Sequence, residues 1–207
     1  ARLYFVAFNW GYYKEHLNEI VKIWEGGLGI YGGVIFGVLA MLVFCKIRKL
    51  SVGLVFDTIA PGLIFAQMMG RWGNFFNREA YGGDTDSLFA MRLPVDYSRM
   101  RVEEANKVIH QGAYDFIQVH PTFLYESLWS LGVFILLIVF FKKKKYDGQV
   151  FLWYAMGYAL GRIWIEGLRT DQLILGHIGS VSIPASQFLA GLIIVGVGVI
   201  LILLHFH

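Results

Sequence analysis

Cysteine is nearly missing from this chain. Cys45 is the only one in 207 residues, so an intrachain disulfide and a thiolate metal cluster are both excluded. Cys45 stands beside Lys46 at the end of an apolar run and reads as a small packing residue. Charge is scarce too: 16% of residues are charged against 57% hydrophobic, a composition that a soluble domain of this length does not carry. There are four prolines, so little interrupts the apolar runs. Nothing reads as a signal peptide, since no charged n-region is followed by a cleavage site. The chain opens without methionine on Arg2 to Phe8, which is expected to be the end of a truncated span.

What remains is apolar sequence punctuated by basic clusters. Runs at about 29–45, 51–69, 121–141, 150–167 and 183–204 are near the length that a bilayer core requires. They predict an all-α, polytopic transmembrane helical bundle with five visible spans. Lys46, Arg48 and Lys49 follow the first run and Lys142 to Lys145 follow the third. These clusters mark cytoplasmic ends, a reading preferred to nucleic-acid binding. Residues 12–25 place Leu17, Ile20, Val21 and Trp24 at helical spacing and predict an interfacial amphipathic helix, so that 1–28 forms the span end and an arm. Gly29, Gly33 and Gly37 offer a smooth face to another helix. Pro61 and Gly62 predict a kink in the second span, and Asp57 near its cytoplasmic end is expected to be wet and structural. Residues 83–119 hold the only long polar stretch and predict a small extracytoplasmic head with one short helix near 102–110.

Three polar clusters break the apolar pattern on one side of the membrane. The first is GRWGNFFNREAYG, Gly70 to Gly82; the second is HPTFLYES from His120; the third is RIWIEGLR, Arg162 to Arg169. Charged groups at bilayer depth are costly unless paired or facing a polar ligand. Arg162 and Glu166 stand one turn apart on one helix face, with Arg169 a further turn along. That is equally the pattern of a self-neutralising pair with Arg169 reaching outward. The further arginines of the first cluster tip the balance toward an anionic ligand, and a phospholipid phosphate is the anion found at that depth. Arginine suits it because its planar fork binds phosphate oxygens in pairs. His120 before Pro121 fits a loop entering a helix, equally a structural residue or a catalytic one. Glu126, after Tyr125, is expected to orient an arginine. His110, His177, His205 and His207 show no ligand spacing, so no metal is expected. Two other classes remain open from the residues: a transporter or channel for an anionic substrate, and a membrane scaffold. Against the transporter, the cytoplasmic halves of the spans are almost uniformly apolar and no inverted repeat is evident.

These motifs resemble the signatures of the prolipoprotein diacylglyceryl transferases. The first cluster is similar to the family's G-R-x-x-N-F-x-N-x-E-x-x-G at Gly70, Arg71, Asn74, Phe75, Asn77, Glu79 and Gly82; HPTFLYES, the R-x-x-x-E-x-x-R of 162–169 and GGLGIYGG follow the family's remaining motifs. The resemblance implies seven spans in a full chain, in a bacterial inner membrane with the site toward the extracytoplasmic face. It implies transfer of the diacylglyceryl group of phosphatidylglycerol to the lipobox cysteine of a prolipoprotein signal peptide, with glycerol phosphate released, no cofactor and a monomer among membrane lipids. Carried onto this sequence, the catalytic candidates are Arg71, Arg162, Tyr31, His120 and Glu79; the substrate-binding candidates are Asn74, Asn77, Gly82, Tyr125, Glu126, Glu166 and Arg169. Arg71 and Arg162 are expected to hold the phosphate, Asn74 and Asn77 to add hydrogen bonds, Glu79, Glu126 and Glu166 to fix the arginines, and Gly82 to admit the ligand. Tyr31 stands where many members have histidine, and a phenol is a poor base at neutral pH. Either Tyr31 hydrogen-bonds to the substrate instead, or the proton leaves by another route, such as His120 or the phosphate itself.

Overall fold

The computed structural model describes residues 1–95, 108–112, 114–170, 172, 174–178 and 181–205. The chain divides into two compact units, Ala1–Val55 and Phe56–His207.

In the first unit, α1 (Arg2–Phe8) and α2 (Trp10–Tyr13) lead through two single 3-10 turns to α3 (Ile30–Arg48). The amphipathic helix expected over 12–25 is thus broken into short turns. Arg2 accounts for part of the break, because its guanidinium donates to the carbonyls of Glu19 at 2.5 Å and Ile20 at 2.9 Å, which a continuous helix would have used internally, and it reaches on to those of Gly26 at 2.7 Å and Gly27 at 3.1 Å. The glycine face is used close to its start. A Cβ on Gly29 would meet Tyr4 Cδ1 at 2.7 Å and Gly32 also lies against Tyr4, whereas Gly37 has open space around it.

In the second unit, α4 (Val52–Asn77, entering from the first unit), α5 (Thr122–Phe140), α6 (Gln149–Glu166) and α7 (Ala185–His205) form the helical body. Among the described residues, four helices are long and apolar enough to cross a membrane: Ile30–Arg48, Val52–Asn77, the Thr122–Lys143 stretch and Ala185–Leu204. The chain is a mostly helical, multi-pass membrane protein. The helix α6, expected as a further span, is not among the four, since Gln149, Arg162 and Glu166 and its aromatic residues dilute its hydropathy. Ala60 and Ile64 of α4, Val133 and Leu137 of α5 and Val150 of α6 make the buried core, with Phe151, Tyr154 and Tyr158 packed on it.

Two expectations change here. The helix α4 runs on through Pro61 to Asn77, past the end expected near 69, so Arg71 to Asn77 are its last turns. The all-α expectation also fails in the connections. Strands β1 (Met91–Pro94), β2 (Val108–Gln111) and β3 (Tyr114–Val119) form an antiparallel sheet in the order β1-β3-β2, and β4 (Ile174–Ile178) pairs with β5 (Val181–Pro184). The short helix expected near 102–110 is a strand over 108–110, its earlier part lying outside the described residues. In β3, Ile117 and Val119 are buried and Phe116 and Gln118 are half-buried, and Gly112 at φ +66° makes the turn between β2 and β3.

Asp57 is fully buried, not wet. Its Oδ2 accepts from Lys144 Nζ at 3.0 Å and the Gly148 amide at 2.9 Å, and its Oδ1 from the Phe151 amide at 3.0 Å. Gly148 is the cap residue of α6, so a carboxylate on α4 supplies acceptors to the open amides at the start of α6, where negative charge is favoured.

Candidate functional site

The three polar clusters of the sequence occupy the opposite end of α4 and α6 and the first turns of α5. Arg71 lies six residues before the end of α4, where the helix gives way to a tight turn through Arg78 (φ 53°) and Ala80 (φ 56°). Left-handed backbone is uncommon for residues with a side chain, and here it swings the chain from the helix axis into the Tyr81–Gly83 segment. That segment is held by main chain on both sides. The Gly82 amide donates to the His120 carbonyl at 3.0 Å, the His120 amide to the Gly83 carbonyl at 3.0 Å, and the Gly83 amide to the Leu168 carbonyl at 3.1 Å. Thr122 adds a short side-chain bond to the Ala80 carbonyl. A Cβ on Gly82 would come within 2.7 Å of both His120 Cβ and the Leu168 carbonyl oxygen. The surroundings that require glycine at position 82 are therefore the protein's own chain.

This junction brings the exits of α4 and α6 and the entry of α5 together, and their charged side chains form a continuous series. Arg71 Nε lies 2.6 Å from Glu126 Oε2, and Glu126 Oε1 accepts from Arg162 at 3.0 Å. The other nitrogen of the Arg162 fork bonds Glu166, whose same oxygen stands 3.9 Å from Arg169. Five of the sequence's candidates thus form one array of three guanidiniums and two carboxylates. Glu126 and Glu166 are 6% and 4% exposed; the three arginine side chains keep between 12% and 21%, so the array has a buried carboxylate spine and a partly open cationic face. Arg169 does not reach outward into solvent; it closes the series.

The remaining candidates sit around this array or apart from it. His120 Nδ1 and the Tyr125 hydroxyl are 3.3 Å apart, and Tyr125 lies beside Trp164 with ring centroids 6.2 Å apart. Asn77 donates to Glu79 Oε1 at 3.2 Å, and the Glu79 amide bonds the Asn74 carbonyl at 3.0 Å. Asn74 lies on α4, one turn beyond Arg71. Tyr31 belongs to the first unit, in the first turn of α3, and is 59% exposed.

Some polar contacts had no counterpart in the sequence reading. Ser127 accepts from Trp72 Nε1 at 3.2 Å and donates to the Met68 carbonyl at 3.2 Å, fastening α5 to α4 beside the array. Gln67 of α4 donates to the Tyr154 hydroxyl of α6 at 2.9 Å. The helical spacing of Gln67 with Arg71, and of Tyr154 with Tyr158 and Arg162, is the signal that could have found the second pair. Further along α5 and α6 an apolar cleft of about 340 Å³, lined by Val133, Leu137, Phe140, Trp153 and Gly157 among others, carries no reactive group.

Comparison with known proteins gives the family of the chain. The family model described as prolipoprotein diacylglyceryl transferase matches residues 1–204. Among curated relatives named phosphatidylglycerol–prolipoprotein diacylglyceryl transferase, that of Thermosynechococcus vestitus is 47% identical over 180 residues, covering 86% of this chain and 63% of the relative. The Listeria welshimeri protein is 43% identical over 197 residues, covering 94% and 65%. The Limosilactobacillus reuteri protein is 45% identical over 207 residues, covering 98% and 70%. The chain therefore spans somewhat less than two thirds of the length of the first of these relatives. The chain belongs to the prolipoprotein diacylglyceryl transferase family.

Proposed function

We propose that this chain forms the membrane-embedded catalytic part of a transferase that moves the diacylglyceryl group of phosphatidylglycerol onto the thiol of a prolipoprotein's lipobox cysteine. The names of the relatives supply the two substrates. The observation that carries the reading is the array Arg71–Glu126–Arg162–Glu166–Arg169, in which two buried carboxylates hold three guanidiniums whose partly open face suits the oxygens of one phosphodiester.

The chemistry asks little else of the protein. The substrate sulfur attacks a glycerol carbon; a C–S bond forms while the bond from that carbon to the phosphate oxygen breaks, its electron pair leaving with glycerol phosphate. Charge grows on the leaving phosphate, and guanidiniums held in place beforehand by Glu126 and Glu166 stabilise it without reorganising. Arg71 and Arg162 hold the phosphate, with Asn74 and Asn77 donating at its edge, Glu79 orienting Asn77, and Arg169 and Gly82 closing the rim. The thiol proton passes to His120, whose ring Tyr125 steadies, and ends on the departing phosphate, so atoms and charge balance.

The topology belongs to the same proposal. Five spans of this chain, with α6 as the fourth, lie in a bacterial inner membrane with the arginine array toward the extracytoplasmic face, residues 83–119 forming a small head there, and the enzyme acting as a monomer. The test uses the full-length protein in detergent with phosphatidylglycerol and a lipobox peptide. Glycerol phosphate release is expected; no release, together with anion flux through liposomes containing the protein, would overturn the proposal.

A further inference from the structure

Gln67 and Tyr154 make a polar contact between α4 and α6 within the second unit's apolar core, and it is incompletely satisfied. Gln67 Oε1 is buried and has no hydrogen-bond partner among the described residues. With Nε2 donating to the Tyr154 oxygen at 2.9 Å, the Tyr154 hydroxyl proton also lacks a described acceptor. A buried polar atom without a partner in an apolar core is costly. Oxygen and nitrogen of a glutamine amide are assigned from their surroundings. Turning the amide end over lets Tyr154 donate to Oε1 and satisfies both groups at once. The amide that is left then presents its NH₂, a donor requiring an acceptor.

The position of that donor is informative. Gln67 stands one turn from Arg71 on the same face of α4, on the side toward Ile64 and the apolar core. On α6, Tyr154, Tyr158 and Arg162 follow at the same spacing, and the rings of Tyr154 and Tyr158 stack with centroids 6.2 Å apart. A polar stripe thus leads from the arginines into the apolar part of the bundle. One helical turn is about 6 Å over four residues, the separation in a phospholipid between the phosphate and the ester carbonyls that join glycerol to the acyl chains. Those carbonyls are acceptors without donors of their own, and they lie toward the hydrocarbon from the phosphate, as Gln67 lies from Arg71.

We infer that Gln67, oriented by Tyr154, is a specificity-determining residue that donates a hydrogen bond to an ester carbonyl of the phospholipid held by Arg71 and Arg162. This rests on the transferase reading for the placement of the phosphate. The consequence is discrimination between diacyl and dialkyl-ether lipids. The ester is a spectator in the transfer, because the bond that breaks joins the glycerol carbon to the phosphate oxygen, so an ether lipid remains chemically competent and differs only in recognition.

The experiment measures kcat/KM of the full-length protein with diester phosphatidylglycerol and with the dialkyl-ether lipid of matched chains, using a lipobox peptide. Equilibrium binding of the same two lipids is measured in parallel. The protein is expected to favour the diester about fivefold, the worth of one hydrogen bond, in both rate and binding. Gln67→Met, which keeps the bulk, brings the ratio to about one, and Tyr154→Phe lowers it part of the way. A ratio near one in the unaltered protein, or a ratio that neither substitution moves, would overturn the inference. Diester preference in binding that Gln67→Met abolishes, without any glycerol phosphate release, would sustain the inference and sink the transferase reading. Release without lipid preference would do the reverse.

Discussion

The second unit holds buried carboxylates at both ends of α4 and α6, and the two ends solve the same problem differently. At one end Asp57 and Asp147 both bond Lys144, and two backbone amides at the start of α6 bond Asp57 directly. Both oxygens of Asp57 have protein donors. At the other end Glu126 and Glu166 bond the guanidiniums of Arg71, Arg162 and Arg169, whose side chains stay partly exposed. A carboxylate enclosed by its donors holds a helix in place, whereas partly exposed guanidiniums on a buried carboxylate spine present a cationic face. The contrast separates a structural buried acid from a site more sharply than burial does, since all three acids are at most 6% exposed.

Breaking each end should therefore give different results. The largest effect is expected from Arg162→Ala, which strips a partner from both Glu126 and Glu166: transfer should fall at least tenfold, about 1.4 kcal/mol or more in barrier, and Arg162→Lys should restore little because a point charge cannot serve both carboxylates as the fork does. Turnover in the release assay, corrected for folded protein, checks this; a loss below tenfold would detach the array from the chemistry. Asp57→Ala should instead cost about 3 kcal/mol of stability through the orphaned Lys144 and helix amides, read as earlier thermal unfolding in detergent, with turnover per folded molecule largely kept. A proportionate loss of turnover would erase the distinction between the ends. Gly82→Ala forces a methyl against His120 and Leu168 and should destabilise by about 1–2 kcal/mol, with transfer impaired because the junction carries the arginines. The smallest effect is a pH dependence. The hydrogen bond to Asp57, ahead of the other causes, holds the Lys144 amine above its ordinary value. A folded-state pKa raised above the unfolded one contributes stability that is whole below the ordinary lysine value of about 10.4 and is lost as pH climbs through the folded value. Melting curves against pH should show that alkaline decline, and Lys144→Met should flatten it.

Much of the array was legible because helical periodicity is local: Arg162, Glu166 and Arg169 declare a shared face by spacing alone. The partner of Arg71 was not. Glu126 joins Arg71 to Arg162 across three helices, and no local signal sets a register between α4 and α5 that would select this pairing over one through Glu79. The polar connections were misread where short-range signals compete. The spacing of Leu17, Ile20, Val21 and Trp24 is helical, yet Arg2 draws off backbone carbonyls that such a helix needs. Val108 to His110 continue a stretch rich in helix formers, but Gly112 turns them back on the alternating Tyr114–Val119 strand. Asp57 looked wet because its distance from a basic cluster was visible while the start of α6, which buries it, was not.

The reciprocal bonds between Gly82, Gly83 and His120 also mean that the segment from β1 through β3 leaves and rejoins the membrane body at a single stitched point. Such a segment can lengthen, shorten or be exchanged without changing the distance between Arg71 and Glu126, since the stitch and not the excursion sets it. The fold thereby uncouples what happens along the excursion from the fixed spacing of the charged side chains where α4, α5 and α6 meet.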